Sequence, residues 1–146
     1  MKKIVFLILV IPLIIGSCTQ QEVKSPIEGT WKLIYGNWYF SDTLNYQFPG
    51  NFTIDQIKFL SKEYVAWVGQ YKQDTIVTDN YGAATYTLEG DRFVENILYR
   101  SGYSPDAVKV RLLLEVRNDT LIQNWPADEN WKLPEKYSTE KYIRVK

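Results

Sequence analysis

Few residues in this chain could do chemistry, and Glu95 is the first of them. It stands in "RFVENILY" between Phe93 and Ile97, its same-face neighbours in an extended strand, with Tyr86 before it in sequence and Tyr99 after it. A carboxylate on an otherwise apolar face must be hydrogen-bonded, paired with a base or driven towards its neutral form. With a tyrosine beside it in a dry pocket, such a group can move a proton. The opposite face, Val94, Asn96 and Leu98, is also a plausible inner face. Two readings therefore stand: Glu95 points inward and orients a ligand donor or pairs with a buried base, or it points outward and is solvated.

The rest of the catalytic repertoire is missing from the composition. The chain has no histidine and a single cysteine, Cys18. Ser-His-Asp and Cys-His nucleophiles, histidine-ligated haem, zinc hydrolase sites and disulfides all need residues that are absent. No metal and no cofactor is implied. Paired-carboxylate glycoside chemistry requires a second acid facing Glu95, and no partner stands out in the sequence. Catalysis thus reduces to Glu95 with Tyr86 or Tyr99, and a binding protein rather than an enzyme is expected.

Eleven tyrosines and five tryptophans supply flat apolar faces with one polar handle each. Such residues suit a pocket for a small apolar or amphipathic molecule, although strands favour them in any case. The expected ligand-binding set is Trp67, Tyr86, Glu95, Tyr99 and Trp125. A second set, Trp38, Tyr39, Tyr46, Trp131 and Tyr137, falls in segments without clear periodicity. These residues support the alternative of an interaction or accessory module with a self-filled interior and an envelope protein as its partner.

The elements that must position these residues read as strands. In "VKVRLLLEV", Val108, Val110, Leu112, Leu114 and Val116 fall on one face, and Lys109, Arg111 and Glu115 on the other. "TLIQNW" follows after a short turn to give a hairpin. "ATYTL" and "RFVENILY" flank Glu89-Gly90-Asp91 as a second hairpin, and "DQIKFL" with "EYVAWVGQY" forms a third around Ser61-Lys62. A first strand from Gly29 and a last strand "KYIRV" bring the count to about eight, the number at which a closed barrel can hold one small ligand. No segment after the N-terminal apolar run keeps the apolar spacing of a long helix. The fold class is all-β: a single antiparallel up-and-down barrel. Residues 39–53 and 126–138 are left as lids at a barrel mouth or plain connections.

Gly29-x-Trp31 in the first strand, the meander of hairpins and Arg144 in the last strand resemble the calycin pattern of lipocalins and fatty-acid-binding proteins. "IEGTWKL", "DQIKFLSKEYVAWV", "GAATYTLEGDRFVENILY" and "KYIRVK" are similar to small lipocalin-like lipoproteins of Bacteroidetes-type bacteria. The resemblance implies that Trp31 closes the barrel floor, that Arg144 lies across its ring, and that Gly29 permits close backbone approach. The fatty-acid-binding branch grips a carboxylate with interior arginines. Arg111 falls on a charged strand face and Arg92 and Arg100 bracket a strand, so no comparable pair can be placed. That departure favours a neutral or basic apolar ligand.

Met1-Lys2-Lys3, an uncharged run from Ile4 to Ile15 and Gly16-Ser17 have the form of a secretory signal. Ile15-Gly16-Ser17-Cys18 resembles the bacterial lipobox, which implies cleavage before Cys18 and its acylation by diacylglycerol and palmitate-type chains. The expected organisation is a lipoprotein signal peptide at 1–17, a lipidated tether at 18–26 and the barrel at 27–146. Localisation follows as the cell envelope, with a lipid anchor in a membrane, the outer one by preference, and the domain facing the periplasm or the surface. Without Lys2 and Lys3, 15 basic residues remain against 17 acidic ones. This leaves no electrostatic footprint for nucleic acid. Asp42-Thr43-Leu44, Asp74-Thr75-Ile76 and Asp119-Thr120-Leu121 resemble O-glycosylation signals of such bacteria, and are equally natural turn-to-strand junctions.

Overall fold

The computed structural model describes residues 25–41, 44–102 and 108–146. The expected signal peptide, Cys18, the tether up to residue 24 and Asp42-Thr43 lie outside the described residues. Nine strands are described: β1 (Gly29–Tyr39), β2 (Asn45–Phe48), β3 (Thr53–Leu60), β4 (Tyr64–Gln73), β5 (Ile76–Glu89), β6 (Arg92–Arg100), β7 (Val108–Arg117), β8 (Thr120–Trp125) and β9 (Ser138–Arg144). All neighbours pair antiparallel, and β9 returns to β1. The result is a closed up-and-down barrel of eight strands, with β2 as an addition. Closure removes the exposed sheet edges that an open sheet of this length would carry.

β1 holds the barrel shut because its two halves do different work. Its first half pairs with β3, Gly29 opposite Leu60, and its second half pairs with β2, Gly36 opposite Phe48. The opposite edge runs along β9, from Trp31 opposite Arg144 to Asn37 opposite Thr139. β2 and the extension of β1 to Tyr39 correct the expectation that residues 39–53 are loose. Three hairpins turn through two residues each, and left-handed backbone falls at Asp74, Gly90 and Asn118. These residue types tolerate it best.

Two β-bulges decide which side chains face inward. In β1 the register against β9 shifts between Leu33 and Tyr35, so Trp31 and Leu33 point inward before Ile34, and Gly36 and Trp38 after it. In β6, Ile97 pairs with Ala84 and Tyr99 with Ala83, which leaves Leu98 unopposed. An extra residue on one strand reverses the alternation beyond it.

The two ends of the barrel differ. At the floor, Trp31 is fully buried, its indole N–H donates to the Ile27 carbonyl at 2.7 Å, and the Arg144 guanidinium lies 4.1 Å from its ring centroid. Arg144 also donates to the carbonyls of Glu28 and Pro26. Gly29 has a φ of 137°, and a Cβ on it would come within 2.6 Å of Arg144 Nη1. Phe93, Leu112, Leu121 and Val65 complete the apolar core.

The segment 126–137 is neither a lid over the mouth nor a free connection. The Ala127 amide donates to the Arg111 carbonyl at 2.9 Å, Trp131 takes the Arg92 guanidinium over its ring, and Glu129 lies 4.0 Å from Arg111. The segment is a strap on the outer wall of β6 and β7. Asp128 Oδ1 fixes its turn by accepting from the amides of Asn130 and Lys132, both at 2.8 Å.

Candidate binding site

Above the floor core the interior is hollow and polar. β3 sends Gln56 and Lys58 inward, β6 sends Glu95, β8 sends Gln123, and β9 sends Glu140 and Tyr142. Each obeys its strand's alternation, so the inward face of each strand changes from apolar near the floor to polar in the middle. With Trp67, Ile97, Val110, Leu112 and Trp125 these residues line a chamber of about 370 Å³. A second chamber of about 380 Å³ lies between Trp38, Phe40, Tyr46, Phe52 and Tyr71. Gln56, Asn80 and Glu140 belong to both walls and divide the two spaces.

The polar groups form a connected network. Glu140 accepts from the Trp38 indole at 2.7 Å through Oε1, and from the Tyr142 hydroxyl at 2.6 Å and the Gln123 amide through Oε2. Gln56 donates to the Tyr142 oxygen at 2.8 Å and accepts from Asn80 at 2.6 Å. Lys58 donates to Gln123 Oε1 at 2.9 Å. Its ammonium lies 3.8 Å from Glu95 Oε1, 4.0 Å from Glu140 Oε2 and 5.0 Å from the Tyr142 ring centroid. Low dielectric strengthens every one of these contacts and makes any unpaired member costly.

Two members have displaced ionisation. Burial pushes the Glu95 carboxyl above its ordinary range, with Lys58 pulling it back down and Glu140 raising it further. The Tyr142 hydroxyl is held well above its ordinary value by burial and by the Glu140 carboxylate that it donates to. Glu95 Oε1 is buried and has no hydrogen-bond partner.

Three of the five residues expected to bind ligand, Trp67, Glu95 and Trp125, line the first chamber together. Trp67 lies flat against its cross-strand partner Gly82, where a Cβ would meet the indole at 2.1 Å. Glu95 faces inward, which decides between its two readings. Tyr86 and Tyr99 are corrections. Tyr86 stacks on Phe93 at the closed end and donates to the Ser61 carbonyl, so it does not line the chamber. Tyr99 is 69% exposed because the bulge at Leu98 reverses its direction and turns Arg100 to the chamber wall instead. Tyr86 stands directly opposite Glu95 across β5 and β6 with its hydroxyl committed to Ser61, Tyr99 is turned away, and the tyrosine whose hydroxyl joins the network is Tyr142.

Lys58, Gln56, Gln123 and Glu140 are the residues that sequence reasoning missed. Their signal was present, since Ile54, Gln56, Lys58 and Leu60 alternate with Asp55, Ile57 and Phe59 along one strand. The apolar Ile57 and Phe59 suggest the wrong inner face. Among the described residues, no group of three or more acidic side chains could hold a metal ion. No family model matches the chain, and no curated protein is similar to it.

Proposed function

We propose that this protein is an envelope-anchored binding barrel, acylated at Cys18, that takes a small amphipathic molecule into its interior. The observation that carries the reading is the first chamber itself: a hollow of about 370 Å³ inside a closed barrel, walled by two indoles and by the inward Glu95 side chain. A barrel evolved only as a scaffold would fill this space with side chains, because voids forfeit dispersion contacts. Specific ligand sites have this composition, an apolar wall with few convergent polar groups.

The anchor reading draws on the sequence around Cys18. Stable attachment to an outer membrane needs more than one acyl chain, which a lipobox cysteine carries. We assign the barrel a binding role and no catalytic one.

Native mass spectrometry of the protein purified from its own host, followed by organic extraction, tests the binding reading. A stoichiometric small molecule that is lost on Trp67→Ala is the expected result. An empty protein that takes up no small molecule would overturn it.

The alternative of an interaction module keeps Tyr137, which is exposed, and gains residues on the outer wall. Trp38 of the original set is buried and bound to Glu140, whereas Tyr81 and Tyr99 stand more than half exposed on the outer faces of β5 and β6. Loss of a co-purifying envelope protein on Tyr99→Ser, with the barrel interior empty, would favour that reading.

A further inference from the structure

The deep polar groups of the first chamber hydrogen-bond to one another, and Glu95 Oε1 stays outside that network. Glu140 accepts from Trp38, Gln123 and Tyr142. Tyr142 accepts from Gln56, Gln56 from Asn80, and Gln123 from Lys58. Oε1 of Glu95 accepts from nothing, and the nearest ammonium, Lys58 Nζ at 3.8 Å, is beyond hydrogen-bond length. Glu95 is 7% exposed and lines the chamber, so what surface its side chain keeps faces the cavity.

Charge points the same way. The Lys58 ammonium is shared between Glu95 and Glu140, so with both carboxylates ionised the triad carries one net negative charge. The Arg100 guanidinium also lines the chamber, from the rim beyond the bulge, and is engaged in interactions of its own. An uncompensated buried charge is expensive, and it is relieved by a proton or by an arriving cation. An anionic head group would meet two carboxylates around the same ammonium. A hydroxyl would donate to the Glu95 carboxylate and leave the charge in place.

We propose that the ligand of this chamber carries a protonated amine, which donates to the Glu95 carboxylate and neutralises the Glu95–Lys58–Glu140 triad, while its apolar body lies along Trp67, Ile97 and Trp125. The inference rests on the binding reading above and gives it a head group. When Glu95 is protonated in the empty barrel, the amine replaces that proton. Binding then releases a proton to the buffer.

The test is calorimetric titration of the full chain with four probes sharing one body: naphthylmethylamine, naphthylmethanol, naphthoate and methylnaphthalene. The amine is expected to bind at least about tenfold more tightly than the alcohol, with naphthoate weakest. Glu95→Gln removes the amine's advantage, so that amine and alcohol bind alike. On the unaltered protein, the measured enthalpy of amine binding tracks the ionisation enthalpy of the buffer, a readout that needs no variant. Tightest binding by naphthoate, or an amine advantage that survives Glu95→Gln, overturns the amine assignment and leaves the binding chamber standing. Failure of all four probes to bind overturns both.

Discussion

Arg144 covers Trp31 with its guanidinium 4.1 Å from the ring centroid, and the same guanidinium ties down the carbonyls of Glu28 and Pro26. One side chain thereby seals the floor, caps the indole and fastens the segment that enters β1. Lys141 makes a geometrically similar contact with Tyr35 at 5.1 Å, without those carbonyl hydrogen bonds.

Arg144→Ala should therefore lower stability by about 2–3 kcal/mol, combining a cation–π contact with two charge-assisted hydrogen bonds, against less than about 1 kcal/mol for Lys141→Ala. Thermal unfolding followed by circular dichroism compares them. Equal losses would remove Arg144 from its role as the floor's closing residue.

Gly82→Ala probes the wall of the chamber. The added methyl needs the space of the Trp67 ring, which must swing towards the cavity at a cost of about 1–3 kcal/mol. The variant should fold, show altered tryptophan emission and lose probe binding. Unchanged binding would mean that Trp67 does not border the occupied space.

The pH dependence of stability isolates Glu95. Its folded pKa is raised above the ordinary 4.5, so the folded state holds a proton that the unfolded state has released. The stability tied to that proton is fully present below about pH 4.5 and is lost as pH rises through the folded value. Lys58 and Glu140 face the group, and Tyr142 stays neutral because its own pKa is raised well above 10.0. Glu95→Gln should gain on the unaltered protein as pH increases, measured by urea unfolding of ligand-free samples. A difference between the two that does not vary with pH would contradict the raised value.

Glu140 and Glu95 should differ in what their truncation costs. Glu140→Ala strands the donors of Trp38, Gln123 and Tyr142 together, at an expected cost of about 3–5 kcal/mol. Glu95→Ala strands no donor that hydrogen-bonds to its Oε1 and should cost clearly less. Denaturant midpoints decide the order, and a reversed order would refute the network as described.

Cys18→Ser addresses the anchor. Growth with an alkyne-tagged fatty acid should label the unaltered protein and leave the variant unlabelled and released from the membrane fraction. Persistent labelling would locate the lipid elsewhere.

The sequence made the barrel legible where one face was apolar and the other charged. Val108 to Val116 is the plainest case, and the floor residues Trp31 and Arg144 were accessible through the resemblance of the first and last strands to the calycin pattern. The chamber was harder to see because its wall inverts the usual rule. In β3 the residues that turn inward are Gln56 and Lys58, while Phe59 is 43% exposed on the outside. The bulges were harder still. Period-two counting through Ile34 and Leu98 predicts the wrong direction for Trp38 and Tyr99, since an unpaired residue leaves no trace in hydrophobic alternation. β2 was lost for a related reason: four residues between a Pro49-Gly50 turn and the end of β1 are too short to show a period.

The bulge at Leu98 carries one more implication. It occupies the stretch of β6 just before the rim, so the floor-side half of the strand, with Phe93 and Glu95, is indifferent to it. A one-residue deletion at that point would exchange the guanidinium of Arg100 for the phenol of Tyr99 on the inner rim while keeping the deep carboxylate in place. The entrance can thus be rewritten by a single codon's loss, independently of the pocket beneath it, which gives a lineage of such barrels a short route to new cargo.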